Sequence, residues 1–117
     1  MSKRVWGPII WNMLHCVTLK IKDKHFENQK DNIIFIITTI CSNLPCPTCT
    51  QHASQILRNV NFNYVTKKQD LINLVFNLHN KVNKKTKKKE ETKDILDKYR
   101  KMNFKSVLIK FFETFQG

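Results

Sequence analysis

The sequence predicts an all-α fold, a four-helix bundle with a short additional C-terminal helix. Three observations predict it. Apolar residues recur at three- and four-residue spacing through successive segments. Only two glycines and three prolines are present to shape hairpins and irregular loops. No pair of stretches reads as two strands of comparable quality.

Gly7-Pro8 opens the first helical pattern, because proline suits the first helical position. Ile9, Ile10, Met13, Leu14 and Val17 form its apolar face, and Trp11 and His15 lie one turn apart on one side. Asp23 to Asn28 reads as a polar connection. A second helix is expected from Gln29 to Asn43, with Ile33, Ile36, Ile37 and Ile40 inward. Its β-branched residues are mediocre helix formers, and a strand is the rival reading. The third helix carries Cys46 and Cys49 and runs to Arg58, with Ala53, Ile56 and Leu57 facing in. Asn59 to Thr66 is a polar connection that bears aromatics. The fourth helix begins near Lys67 and buries Leu71, Leu74, Val75, Leu78 and Val82, with Phe76, His79 and Asn83 on an adjacent stripe. Glu90 to Lys101 is charged and helix-prone. Asn103 to Phe115 is a last apolar segment rich in phenylalanine.

A chain of 117 residues makes one domain with a real but small core, and 41% apolar content argues for a folded protein. The formal charge is +12, and six of the lysines fall between Lys81 and Lys89 without an acid. Such a patch attracts anions: cofactor phosphates, nucleic acid, an acidic partner or a membrane surface. The abundance of Lys, Asn and Ile also fits an AT-rich genome, which weakens inference from charge alone. The start, Met1-Ser2-Lys3-Arg4, lacks the apolar stretch of a secretory leader. The longest apolar run, Ile33 to Ile37, is too short to span a bilayer. The expectation is a chain kept in the cytosol, where cysteines are more often redox-active or metal-binding than disulfide-bonded.

Cys46 and Cys49 stand at the expected start of the third helix, one turn apart and followed by His52. The helix N-terminus favours a thiolate on the first cysteine, and a thiolate is the species that exchanges with disulfides. Zinc ligation and plain burial of two thiols remain open on these residues alone. Two further groups carry polar and aromatic side chains where packing would prefer leucine. They are Trp6-Gly7 with Trp11 and His15, and His79-Asn80-Lys81-Val82-Asn83 with the basic residues after it. Together they describe a site that stacks a flat ring and holds its polar edges near a dithiol.

Three motifs stand in order here. They are Trp6-Gly7-x-x-x-Trp11-x-x-Leu14-His15, Leu44-Pro45-Cys46-x-x-Cys49-x-x-His52-Ala53, and Leu78-His79-Asn80-x-Val82-Asn83-x-x-x-x-Lys88. The chain thereby resembles the Erv/ALR family of FAD-linked sulfhydryl oxidases, in its minimal form from large cytoplasmic DNA viruses. The resemblance implies one oxidase domain over 1–117, with a motif-bearing core at 6–88 and a C-terminal helical segment at 90–117. It implies FAD at the bundle mouth, often in a homodimer. Gly7, Trp11 and His15 match positions on the first helix near the flavin nucleotide. Cys49 matches the cysteine beside the isoalloxazine ring, Cys46 the outer cysteine that exchanges with incoming dithiols, and His52 the histidine after the pair. His79, Asn80, Val82 and Asn83 match the segment that holds the adenine and ribose end, and Lys88 a basic position near the phosphates.

The implied activity passes electrons from a protein dithiol through Cys46 and Cys49 to FAD and then to O₂, yielding hydrogen peroxide. The implied donor is a thioredoxin-like or C-x-x-C relay protein, in the host cytoplasm or the virion, without membrane or nucleic-acid partners. The chain departs from the family in three places. Leu74 stands where members often carry Trp. No late Trp exists, with Phe111 or Phe112 as its only candidate substitutes. Cys16 and Cys41 lack the spacing of a shuttle pair and read as buried thiols. The rival reading is a zinc module built from Cys46, Cys49, His52 and either His79 or Cys41, with a basic nucleic-acid-binding segment. A thioredoxin-like fold fails because it needs a sheet.

Overall fold

Helix α1 (Lys3–Leu19) is the axis of the structure, a computed structural model that describes residues 1–115. It touches α2 (Phe26–Cys41), α4 (Lys68–Lys85), α5 (Ile95–Arg100) and α6 (Phe104–Phe115), while α3 (Pro47–Arg58) bridges α2 and α4. Among the described residues there is no strand, so the all-α expectation holds and the strand reading of Ile33 to Ile40 falls. The C-terminal part differs from expectation: two helices, α5 and α6, follow the four-helix core instead of one.

The helix starts show where packing overrides local preference. Pro8 lies in the second turn of α1, not at its first position. Its missing N–H leaves only the Arg4 carbonyl without an intrahelical partner, and Arg4 is exposed. Burial of Trp6, 4% exposed, holds the extra turn against the core. Helix α2 starts earlier than Gln29 because buried Phe26 is drawn inward after a 3₁₀ turn at Asp23–His25. It ends at Cys41, before the expected Asn43. There the Ser42 hydroxyl and the Asn43 amide donate to the carbonyls of Thr38 and Thr39, both at 2.7 Å, and so satisfy the last turn.

The main core joins α1 through Ile10 and Leu14, α2 through Ile33 and Ile37, α3 through Leu57, and α4 through Leu71, Val75 and Leu78. A second cluster lies under α5, where Leu96 and Tyr99 meet Cys16, Leu19, Ile72 and Phe76. Cys16 and Cys41 are both buried free thiols, as expected. Helix α6 lies on α1 and half-buries Phe111 and Phe115, while Ile109 and Phe112 face solvent.

Both ends of α4 are held by local hydrogen bonds. Asp70 accepts from the backbone N–H groups of Thr66 and Lys67 at 3.0 and 3.2 Å, which keeps its carboxyl below the usual carboxylate range. At the other end, the Lys88 N–H bonds the Asn83 carbonyl at 2.7 Å and the Lys87 N–H bonds that of Lys84 at 3.2 Å. This is a Schellman turn, and its left-handed residue is Lys87, φ 60°, where glycine is usual.

Two stability measurements follow. Ile37→Ala removes most of a side chain that is 1% exposed, and should lower unfolding free energy by about 2–5 kcal/mol in urea titrations. Lys87→Gly relieves the left-handed strain and should raise it by about 0.5–1 kcal/mol; a loss of stability would show that the lysine side chain holds the turn.

Candidate active site

Cys46 is the N-cap residue of α3, with extended backbone (φ −135°, ψ 115°), and Pro47 occupies the first helical position, as the sequence leads one to expect. The turn before it is pinned by Thr50, whose hydroxyl accepts from the Leu44 N–H at 3.1 Å and donates to the Leu44 carbonyl at 3.3 Å. The two sulfurs approach to 2.6 Å, so the pair is placed to form a disulfide. Their environments differ. The Cys46 sulfur accepts hydrogen bonds from the Cys49 thiol and, at 3.2 Å, from the Cys49 backbone N–H, which hold its thiol below the usual range. Burial pushes the Cys49 thiol up, and its donation to Cys46 pushes it further. Of the reduced pair, Cys46 is therefore the more readily ionised.

Cys49 opens onto an apolar slot shared with Trp6, Ile10, Leu14, His52, Ala53 and Val82. Its cavity volume is about 50 Å³. Lys3, Gly7 and Trp11 line this slot and also line a second, wider groove of about 480 Å³. The groove carries Arg4, Lys88, Lys89 and Lys98 against a single acid, Glu91, together with His79, Asn83 and Tyr99. Lys3 and Arg4 stand in the first turn of α1, which holds no acid. There the helix dipole and both cations favour an anion.

Four rings pack at and beneath the groove in two stacked pairs. Trp11 lies flat on His79 at 3.8 Å and 9°, and Tyr99 lies flat on His15 at 4.1 Å and 13°. The inner pair is joined by a hydrogen bond of 2.9 Å between His15 Nε2 and His79 Nδ1. Burial, and then the charge on His79, lowers the His15 pKa to about 3. Burial, and then Lys88 and Lys98, lowers that of His79 to about 4. Both rings are neutral near pH 7.

The structure brings together Gly7, Trp11, Cys49, His52, His79, Val82, Asn83 and Lys88 around the slot and groove. His15 lines neither; it is 1% exposed and supports His79 from below. The Asn80 amide is engaged with the backbone of Glu91. Leu74 lies in the core, and Phe111 and Phe112 line neither cavity. Among the described residues no three His, Cys, Asp or Glu side chains converge as metal ligands, so the zinc reading loses its geometry. Lys3, Thr50 and Tyr99 escaped the sequence reading. The first two belong to no motif, and Tyr99 is brought to His15 by the packing of α5 on α1.

FAD pairs a flat ring system with an anionic diphosphate and an adenosine end. An apolar slot beside a dithiol, continuous with a groove rich in cations and ending on stacked rings, has the donor set for each part in turn. A flat ring would reach the slot from its open side, since a cavity of about 50 Å³ does not enclose one.

Because both folded-state histidine pKa values lie below the ordinary 6.5, stability is fully present above pH 6.5 and falls as pH drops toward 4 and 3. Melting temperature should decline across that range, and less steeply in His79→Phe. An unchanged slope in the variant would place the acid sensitivity elsewhere.

The Erv1/Alr family model matches residues 8–105. A protein of Invertebrate iridescent virus 3, to which FAD-linked sulfhydryl oxidase activity is assigned by name, is 27% identical over 102 residues, covering 86% of this chain and 69% of the relative. No solved structure matches the chain. With the dithiol, slot and cationic groove on one side of the bundle and the family match across most of its length, this chain belongs to the Erv1/Alr family of FAD-linked sulfhydryl oxidases.

Proposed function

We propose that the chain, acting as one oxidase domain, forms disulfides in partner proteins through Cys46 and Cys49, with FAD held across the slot and the cationic groove. The observation that carries this reading is the division of labour within the pair. Cys49 lines the slot, while Cys46, half-exposed and favoured as thiolate, stands off it.

From the oxidised pair, a substrate thiolate attacks the Cys46 sulfur; the Cys46–Cys49 bond breaks and Cys49 leaves as thiolate. The second substrate thiolate then attacks the substrate sulfur of the mixed disulfide. Cys46 leaves, and the substrate departs as a disulfide. Hydrogen bonds that favour the Cys46 thiolate make it the better leaving group in this second step. FAD, when bound, supplies the acceptor for the electron pair of the reduced cysteines and hands it to O₂, giving hydrogen peroxide. Trp6, Ile10, Leu14 and Val82 keep water from the Cys49 side of the slot, and His52 presents a polar edge there. Lys3, Arg4, Lys88 and Lys98 balance the diphosphate charge, and Trp11, His79 and Asn83 hold the adenosine end. His15 fixes the His79 ring through its hydrogen bond.

The reading extends to the partners. Cys16 and Cys41 are buried, with Cys41 lining the slot itself, and neither reaches the surface, which favours direct delivery to Cys46 by a small thioredoxin-like or C-x-x-C protein. Exposed Ile109 and Phe112 on α6 favour a homodimer. The viral relative favours the cytoplasm of an infected host, or the virion, as the place of action.

Purified protein should be yellow with a flavin absorption spectrum. Cys46→Ser and Cys49→Ser should each abolish dithiol-dependent oxygen uptake while keeping the flavin, and Cys16→Ser should retain most of the turnover. Normal turnover in both active-pair variants would defeat the dithiol role.

A further inference from the structure

We infer that Asn80 is a positioning residue that clamps the lysine-rich loop after α4 into the wall of the cationic groove, rather than a residue that touches the cofactor. The inference rests on the FAD-binding reading of that groove. Asn80 Nδ2 donates to the Glu91 carbonyl at 2.9 Å, and the Glu91 N–H donates to Asn80 Oδ1 at 2.7 Å. Both ends of the amide are engaged in a two-way bond to one backbone residue, the same pairing that two facing strand residues make. Beyond the last turn of α4, the other hydrogen bond from this loop to the body of the helix comes after Glu91, where Lys93 Nζ donates to Asn73 Oδ1 at 3.4 Å.

The stretch of the loop up to Glu91 is pinned at two places. Near its start the Schellman turn, with Lys87 left-handed at φ 60°, reverses the chain after α4. At its far side Asn80 holds Glu91. Between these pins lie Lys88 and Lys89, and both line the groove, as does Glu91 itself. Lysine side chains repel one another and carry large rotamer entropy, so a run of them has no intrinsic reason to stay folded against a cationic wall. The clamp supplies that reason. It brings two ammonium groups to the groove before a ligand arrives, which lowers the ordering cost of binding an anion there.

The test measures FAD affinity of the apoprotein by quenching of flavin fluorescence in four proteins: unaltered chain, Asn80→Ala, Lys88→Ala/Lys89→Ala, and the triple variant. Amide hydrogen exchange of residues 86–91 is followed in the same set. Asn80→Ala should weaken FAD binding about tenfold, as should the lysine pair, and the triple variant should be no weaker than the lysine pair alone, because residues acting through one another do not add. Exchange at Glu91 should accelerate in Asn80→Ala and stay slow in the lysine pair. Asn80→Asp keeps the acceptor for the Glu91 N–H and should fall between, which guards against a variant that merely fails to fold. Losses that multiply in the triple variant, or slow exchange in Asn80→Ala, would overturn the clamp. Failure of the unaltered chain to bind FAD would instead overturn the functional reading, and the exchange data would still decide whether Asn80 holds the loop.

Discussion

One hydrogen bond, between the imidazoles of His15 and His79, constrains most of what surrounds it. Both rings are buried, and a buried polar nitrogen without a partner costs about 1–3 kcal/mol. The bond therefore fixes the rotation of α1 against α4, the two helices that bound both cavities. Once that facing is set, Trp11 and Tyr99 cover the two outer ring faces, and α5 has a place to dock. Among the described residues no buried side-chain nitrogen or oxygen lacks a partner, so the polar centre is compatible with the apolar core around it.

The dithiol obeys a different constraint, set by its place at a helix start. Sulfur at the N-cap can accept the backbone N–H three residues on, and Cys46 does so. The partner cysteine falls one turn in, half-buried beside the slot. The same four residues thus make one sulfur acidic and the other reluctant to ionise, with no charged neighbour needed as the main cause. Position along the helix converts an identical pair into an outward donor site and an inward one.

Much of this was legible in the sequence because it is local. The apolar spacing of Leu71, Leu74, Val75 and Leu78 gives the fourth helix, and Pro47 with the cysteine pair gives the start of the third. Boundaries were less legible where tertiary burial outweighs a local preference, as with Trp6 carrying α1 past Pro8 and Phe26 extending α2. The His79 to Asn83 motif marks a site but does not divide its labour: only the coordinates show Asn83 lining the groove while Asn80 faces Glu91. Tyr99 lies in the charged, helix-prone Glu90 to Lys101 stretch and belongs to no motif. Its role as the ring stacked on His15 depends on a docking that no local pattern encodes.

The two cations in the first turn of α1 have a thermodynamic consequence of their own. A helix start that repels its own side chains is held at less than its full strength, and any bound anion both gains from and relieves that repulsion. Ligation and folding are then linked by mass action, so the folded fraction rises with the concentration of free ligand. In a cell whose flavin supply varies, the steady level of intact protein would follow that supply, and chains made in its absence would be the first exposed to degradation.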